Sequence, residues 1–177
     1  MPPQTSTLPD GNPSLTPRRI GYGITTAAVA LIVLVAAVDG LGGVAILGVD
    51  SRTVRSEADG LELAVTYGAV SRPALATPFD IVVTQPGGFD APVRIAVDQE
   101  YMRLWDENGL TPEPSAETVL GPWLVWEFDP PIGDSLRVAF DARVEPAAQE
   151  GRSGAVAVLD GDDEPVVDVA FTTRVWP

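Results

Sequence analysis

Hydrophobic positions in this chain follow two regimes. Between residues 20 and 49 they are nearly continuous, and Asp39 is the only charged side chain among them. At about 1.5 Å per helical residue, residues 20–38 alone cover roughly 28 Å, close to the roughly 30 Å hydrocarbon core of a bilayer. The run is apolar on all sides rather than along one stripe, as suits a helix facing lipid. It predicts one transmembrane α-helix, with the glycine-rich residues 40–49 as a juxtamembrane extension. From Ser51 onward the period changes to two. Leu61, Leu63, Val65 and Tyr67 alternate with Glu62, Ala64 and Thr66; Phe79, Ile81 and Val83 alternate with Asp80, Val82 and Thr84. These are half-buried strands.

Further strands are predicted at 93–97, 123–128, 136–144, 155–159 and 166–175. The runs at 79–83 and 93–97, separated by the turn Pro86-Gly87-Gly88, read as a hairpin. Residues 100–108 fit a short helical turn or an irregular strand, and the proline-bearing stretch 111–122 reads as a loop. Residues 123–128 are apolar on both faces, as for a central or covered strand. The acidic run Asp160-Gly161-Asp162-Asp163-Glu164 joins the last two strands. About seven or eight short strands at regular spacing predict an all-β, immunoglobulin-like antiparallel sandwich over residues 50–177. The immunoglobulin cysteines are missing, so the pattern leaves the strand topology open.

Residues 1–19 hold Pro2, Pro3, Pro9, Pro13 and Pro17 among polar residues and predict a disordered tail. Arg18 and Arg19 abut the apolar run and place that tail in the cytoplasm, with residues 50–177 outside the cytoplasmic membrane. Val35-Ala36-Ala37 also has the small-residue character of a signal-peptide cleavage site before Val38. The length of the run and its resumption after Asp39 favour an uncleaved anchor. Asp39 is costly at mid-bilayer, by roughly 2.5 to 3.5 kcal/mol, and cheap at an interface. Ala36, Asp39, Gly40 and Gly43 form a small, closely approachable face on the helix, a candidate docking surface for another membrane protein.

Charge narrows the function further. The 177 residues include 25 acidic side chains against 11 basic ones, for a net charge of −14. Every basic residue is arginine, and nine arginines against 22 acidic residues from Ser51 onward leave the β region at −13. Such a field repels nucleic acid and anionic lipid headgroups, and a phosphate-binding role is not expected. With no His, Cys or Lys, the serine and cysteine triads, thiolate or imidazole zinc sites and Schiff-base chemistry are excluded. No cofactor or metal site is expected. The acidic run at 160–164 could offer oxygen ligands to a hard cation, but it lacks the spacing of a twelve-residue EF-hand loop and reads as a solvated hairpin tip.

Tyr101, Trp105, Trp123 and Trp126 lie among Glu100, Asp106, Glu107, Glu127 and Asp129. The rings could stack on sugars, which makes them a candidate ligand surface. The carboxylates could pair for glycoside hydrolysis only if two of them converge in a cleft.

Several stretches carry a resemblance: Asp59-Gly60-Leu61-Glu62-Leu63 running into Val65-Thr66-Tyr67, Ser71-Arg72-Pro73, Asp106-Glu107-Asn108-Gly109-Leu110, Phe128-Asp129-Pro130-Pro131 with Gly133-Asp134, and residues 172–177. Together they resemble a group of small uncharacterised single-pass membrane proteins of high-GC Gram-positive bacteria. The resemblance implies an exported domain on one anchor that acts with a multi-pass membrane protein, and it brings no catalytic motif. The expected function is a non-enzymatic, membrane-anchored extracytoplasmic interaction module or accessory subunit of a membrane assembly. The alternative is a cell-envelope domain that binds glycan or peptide.

Overall fold

A computed structural model describes residues 49–176. The predicted membrane segment, with its candidate face Ala36, Asp39, Gly40 and Gly43, falls outside the described residues but for Val49. No helix among the described residues is long and apolar enough to cross a membrane.

The described region is mostly strand, with almost no helix. In chain order it runs β1 (Asp50–Ala58), β2 (Leu61–Ser71), β3 (Phe79–Thr84), β4 (Val93–Asp98), a single helical turn α1 (Gln99–Met102), β5 (Trp105–Thr111), β6 (Ala116–Leu120), β7 (Trp123–Phe128), β8 (Ser135–Val144), β9 (Arg152–Leu159) and β10 (Pro165–Val175). The period-two signal is realised most plainly in β8 and β10. Leu136, Val138, Phe140, Ala142 and Val144 are buried along β8, as are Val167, Val169, Phe171, Thr173 and Val175 along β10.

All ten strands belong to one mixed sheet that curls on itself. One arm has the order β5-β8-β3-β2 with β1 also on β2, and the other has the order β10-β9-β4-β7-β6. The arms join where β10 runs parallel to β2, Arg174 beside Val70 and Val175 beside Ser71. Every other pairing is antiparallel. The curl closes both arms on a single core: Tyr67 of β2 meets Phe171 of β10 with ring centroids 4.8 Å apart, and Trp126 of β7 meets Phe140 of β8 at 6.3 Å.

Three local expectations change. The runs at 79–83 and 93–97 do not form a hairpin. β3 pairs with β2 and β8, while β4 pairs with β9 and β7. The Pro86-Gly87-Gly88 turn forms, with the Gly88 N–H donating to the Gln85 carbonyl at 3.0 Å, but it starts a crossing from one arm to the other. Alternation reports which face a residue takes and says nothing about which strand lies beside it. Second, the proline-rich loop contains a strand, β6, laid against β7. Third, β1 precedes the first predicted strand. Only Val54, Ser56, Ala58 and Asp50 of it are even partly buried, so its apolar signal is faint.

The two ends of the strands differ. The β1–β2 turn, the Gln85–Pro92 crossing and the β9–β10 loop cluster at one end, here the loop end. Asp50, where β1 begins beside Val70, lies at the other end, together with the close of β10.

Candidate functional site

The outward face of the β10-β9-β4-β7-β6 arm is unusually apolar for a solvent side. Register places Ala96 of β4 beside Val125 of β7 and Ala157 of β9. These three and Leu159 are buried, with Leu120 and Trp123 packed over them. This is the covered second face that the apolar run 123–128 predicts. At the loop end, where this face meets the inner core, lies a cleft of about 430 Å³, whose lining includes Leu61, Phe89, Pro92, Arg94, Leu159 and Val166.

Arg94 shapes the cleft. It sits on the polar phase of β4, opposite Glu127 in register, and its side chain is 23% exposed. One guanidinium nitrogen donates to the Asp160 carbonyl at 2.8 Å and another to the Asp163 carboxylate. Glu127 lies 3.9 Å from its Nε. The β9–β10 loop is also tied internally: the Asp160 carboxylate accepts from the backbone N–H groups of Asp162 at 2.8 Å and Glu164 at 3.0 Å. An Asp side chain that caps its own turn in this way fixes the loop. The carboxylates read from sequence as possible cation ligands therefore serve the turn and Arg94. Among the described residues, no three His, Cys, Asp or Glu side chains converge as a metal site.

Charge and polarity around the cleft are unequal. Its floor is aliphatic and aromatic, whereas Asp90 and Glu127 stand in its lining and Asp160 and Gly161 bring the acidic β9–β10 loop to its edge. Arg94 is engaged with that loop, so the rim offers net negative charge to an incoming group. Such a lining is complementary in shape and charge to an apolar side chain with a cation beside it. No protein-family model matches the chain, and no curated protein matches it either.

The predicted ring surface does not assemble. Tyr101 is fully buried, Trp126 is 1% exposed and Trp105 is 7% exposed, so none can stack on a sugar. Tyr101 and Trp105 belong instead to an aromatic core around Phe79, whose ring centroid lies 5.5 Å from Tyr101, 6.0 Å from Trp105, 5.8 Å from Phe140 and 6.0 Å from Phe171. Burial pushes the Tyr101 phenol well above the ordinary tyrosine value, an effect partly offset by its 3.0 Å hydrogen bond to Thr173. Trp123 alone of the four lies on the outward face. Charged neighbours suggested a surface, but Asp98 caps α1 by accepting from the backbone N–H of Glu100 at 2.8 Å and of Tyr101 at 3.2 Å, and the turn drives Tyr101 inward.

Of the carboxylates, Glu100, Asp106 and Glu127 do not come together either. Glu100 pairs with Arg103 and Arg152, and Asp106 with Arg143. Glu127 is at the opposite end of β4 from Glu100. Arg94, Leu61 and Phe89 were not singled out by sequence. The available signal was an arginine inside the 93–97 alternation, on the phase that should be merely solvated.

Proposed function

We propose that this chain is a membrane-anchored extracytoplasmic interaction module, non-enzymatic, acting as an accessory subunit of a membrane protein assembly, and that its β region is an immunoglobulin-like sandwich. Two arms enclosing one core, with β3 and β4 on different arms, support the sandwich reading. The observation that carries the functional reading is the position of the cleft. An apolar floor with an acidic rim lies at the loop end, while the chain leading from the predicted anchor joins at the Asp50 end. A tether at one end and a recognition surface at the other suit a module that reaches from a membrane to a partner. Charge complementarity makes the occupant a partner segment with an apolar side chain beside a basic one. The membrane helix offers a second contact through Ala36, Asp39, Gly40 and Gly43.

The test uses the full-length chain, solubilised from its native membranes and carried through size exclusion with whatever co-purifies. Asp90→Arg, a charge reversal at an exposed position in the cleft lining, should lower recovery of a partner band by at least tenfold without shifting the thermal midpoint. Asp39→Leu should weaken the same complex through the helix. Recovery unchanged by both variants overturns the reading.

A further inference from the structure

β6 ends one arm of the sheet, and among the described residues no strand lies on its far side. Ala116, Glu117, Thr118 and Val119 are exposed, Val119 at 67%. Proteins blunt such open edges with charge or irregularity. β1, paired only with β2, carries Asp50, Arg52, Arg55 and Glu57, and β5 is broken by a register shift between Glu107 and Gly109. β6 has neither device. Its register on β7 is unbroken, and its one charged side chain, Glu117, is drawn back by the Trp126 indole N–H, which donates to the carboxylate at 3.0 Å. We propose that the open edge of β6 pairs antiparallel with β6 of a second copy of this chain, about a two-fold axis at Thr118.

The backbone groups that face the edge follow from the neighbouring ladder. The Gln99 N–H donates to the Pro122 carbonyl at 3.0 Å, one step beyond the pair Asp98 and Trp123. Backbone direction alternates along a strand, so Leu124, Trp126 and Phe128 turn their groups toward β4, and Trp123, Val125 and Glu127 turn theirs toward β6. The Glu127 carbonyl agrees, accepting from the Ser115 N–H at 2.8 Å. The β6 residues opposite those three are Leu120, Thr118 and Ala116. Glu117 and Val119, between them, turn N–H and C=O to the open side.

A two-fold at Thr118 sets Glu117 of each copy opposite Val119 of the other. The two open N–H and two open C=O groups of each copy are then all used, in four hydrogen bonds. Thr118 meets Thr118, Ala116 meets Leu120, and no like charges stand opposite each other. Centring the pair on Glu117 would oppose two carboxylates, and centring it on Val119 would set Glu117 against Gly121, outside the strand. The interface is isologous and small, in the range of transient contacts. Two copies of net charge −14 repel, so added salt should strengthen the association.

The chain contains no cysteine, so single cysteines report the register directly. In a non-hydrogen-bonded antiparallel pair the facing Cα atoms lie about 4.5 Å apart, within the roughly 4.4 to 6.8 Å that a disulfide spans. Thr118 faces its own copy in this way, whereas the stagger carries Ala116 and Val119 away from theirs. The full-length chain, in maltoside micelles held in molar excess, is oxidised with copper phenanthroline, and the initial rate of covalent dimer formation is read on non-reducing gels. T118C should cross-link at least tenfold faster than A116C or V119C, and faster still in added sodium chloride. Val119→Pro removes an edge N–H without taking a β6–β7 hydrogen bond, and T118C/V119P should cross-link at least fivefold more slowly than T118C. Equal rates at the three cysteine positions, as association through another surface would give, overturn the proposal without recourse to the proline variant. A T118C rate that Val119→Pro leaves unchanged overturns it as well.

Discussion

Replacing Gly154 by alanine tests the packing of the core most directly. Gly154 lies in β9 opposite Phe171, and a Cβ built on it falls 2.4 Å from Cγ and 2.5 Å from Cβ of Tyr101. Carbon atoms in contact sit about 3.5 to 4.0 Å apart, so the tyrosine must retreat by about 1 Å. It has nowhere to go. Its ring centroid is already 4.9 Å from Phe171, 5.5 Å from Phe79 and 5.8 Å from Trp105. Overpacking of this kind costs about 1 to 3 kcal/mol, and losing the Thr173 hydrogen bond costs about 1 kcal/mol more. The lower entropy of the unfolded alanine chain returns about 0.4 to 1 kcal/mol. The expected net loss is about 1 to 3.5 kcal/mol. At roughly 4 °C per kcal/mol for a domain of this size, the midpoint should fall by roughly 4 to 14 °C. The assay is thermal unfolding of the full-length chain by tryptophan fluorescence. In a Tyr101→Ala background the glycine substitution should cost almost nothing, because its obstacle is gone. A fall of under about 2 °C in the parent, or an equal fall in both backgrounds, refutes the argument, since even the smallest predicted loss corresponds to about twice that.

Two further substitutions report on single hydrogen bonds. Tyr101→Phe should cost about 1 to 2 kcal/mol at neutral pH by leaving the buried Thr173 hydroxyl without its partner. It should also flatten the loss of stability above about pH 10: the folded phenol titrates higher than the unfolded one, so the native protein weakens as pH rises through that range and the variant lacks this contribution. Urea titrations at pH 8 and pH 10.5 decide the matter, and parallel losses in both proteins count against it. Glu117→Leu removes the acceptor 3.0 Å from the Trp126 indole N–H and should cost about 1 to 3 kcal/mol. Glu117→Gln, which keeps an oxygen, should recover most of that in the same denaturant assay.

The elements were more legible in the sequence than their arrangement. Alternation located β2, β3, β4, β8 and β10, because one buried face forces apolar residues onto every second position. It missed β1 and β6, which lie at the margins of the sheet and bury little. It misassigned the partners of β3 and β4, since both strands take their neighbours from distant parts of the chain. The rings at Tyr101, Trp105 and Trp126 illustrate a related failure. Charged neighbours point outward on the opposite phase of the same strand or turn, so proximity in sequence to Glu100 and Asp106 carried no information about exposure. Arg94 was visible as a residue but not as a clamp, because its acidic partners at Asp160 and Asp163 are some seventy positions away.

The placement of Asp50 has a mechanical consequence. β1 runs from that residue toward the loop end, and its nine residues are laid antiparallel on β2. Antiparallel backbone hydrogen bonds lie perpendicular to the strands. Tension from a tether at Asp50, opposed by a hold in the cleft at the far end, would act along the strand axis. The β1–β2 bonds would then bear the load together in shear instead of parting one at a time.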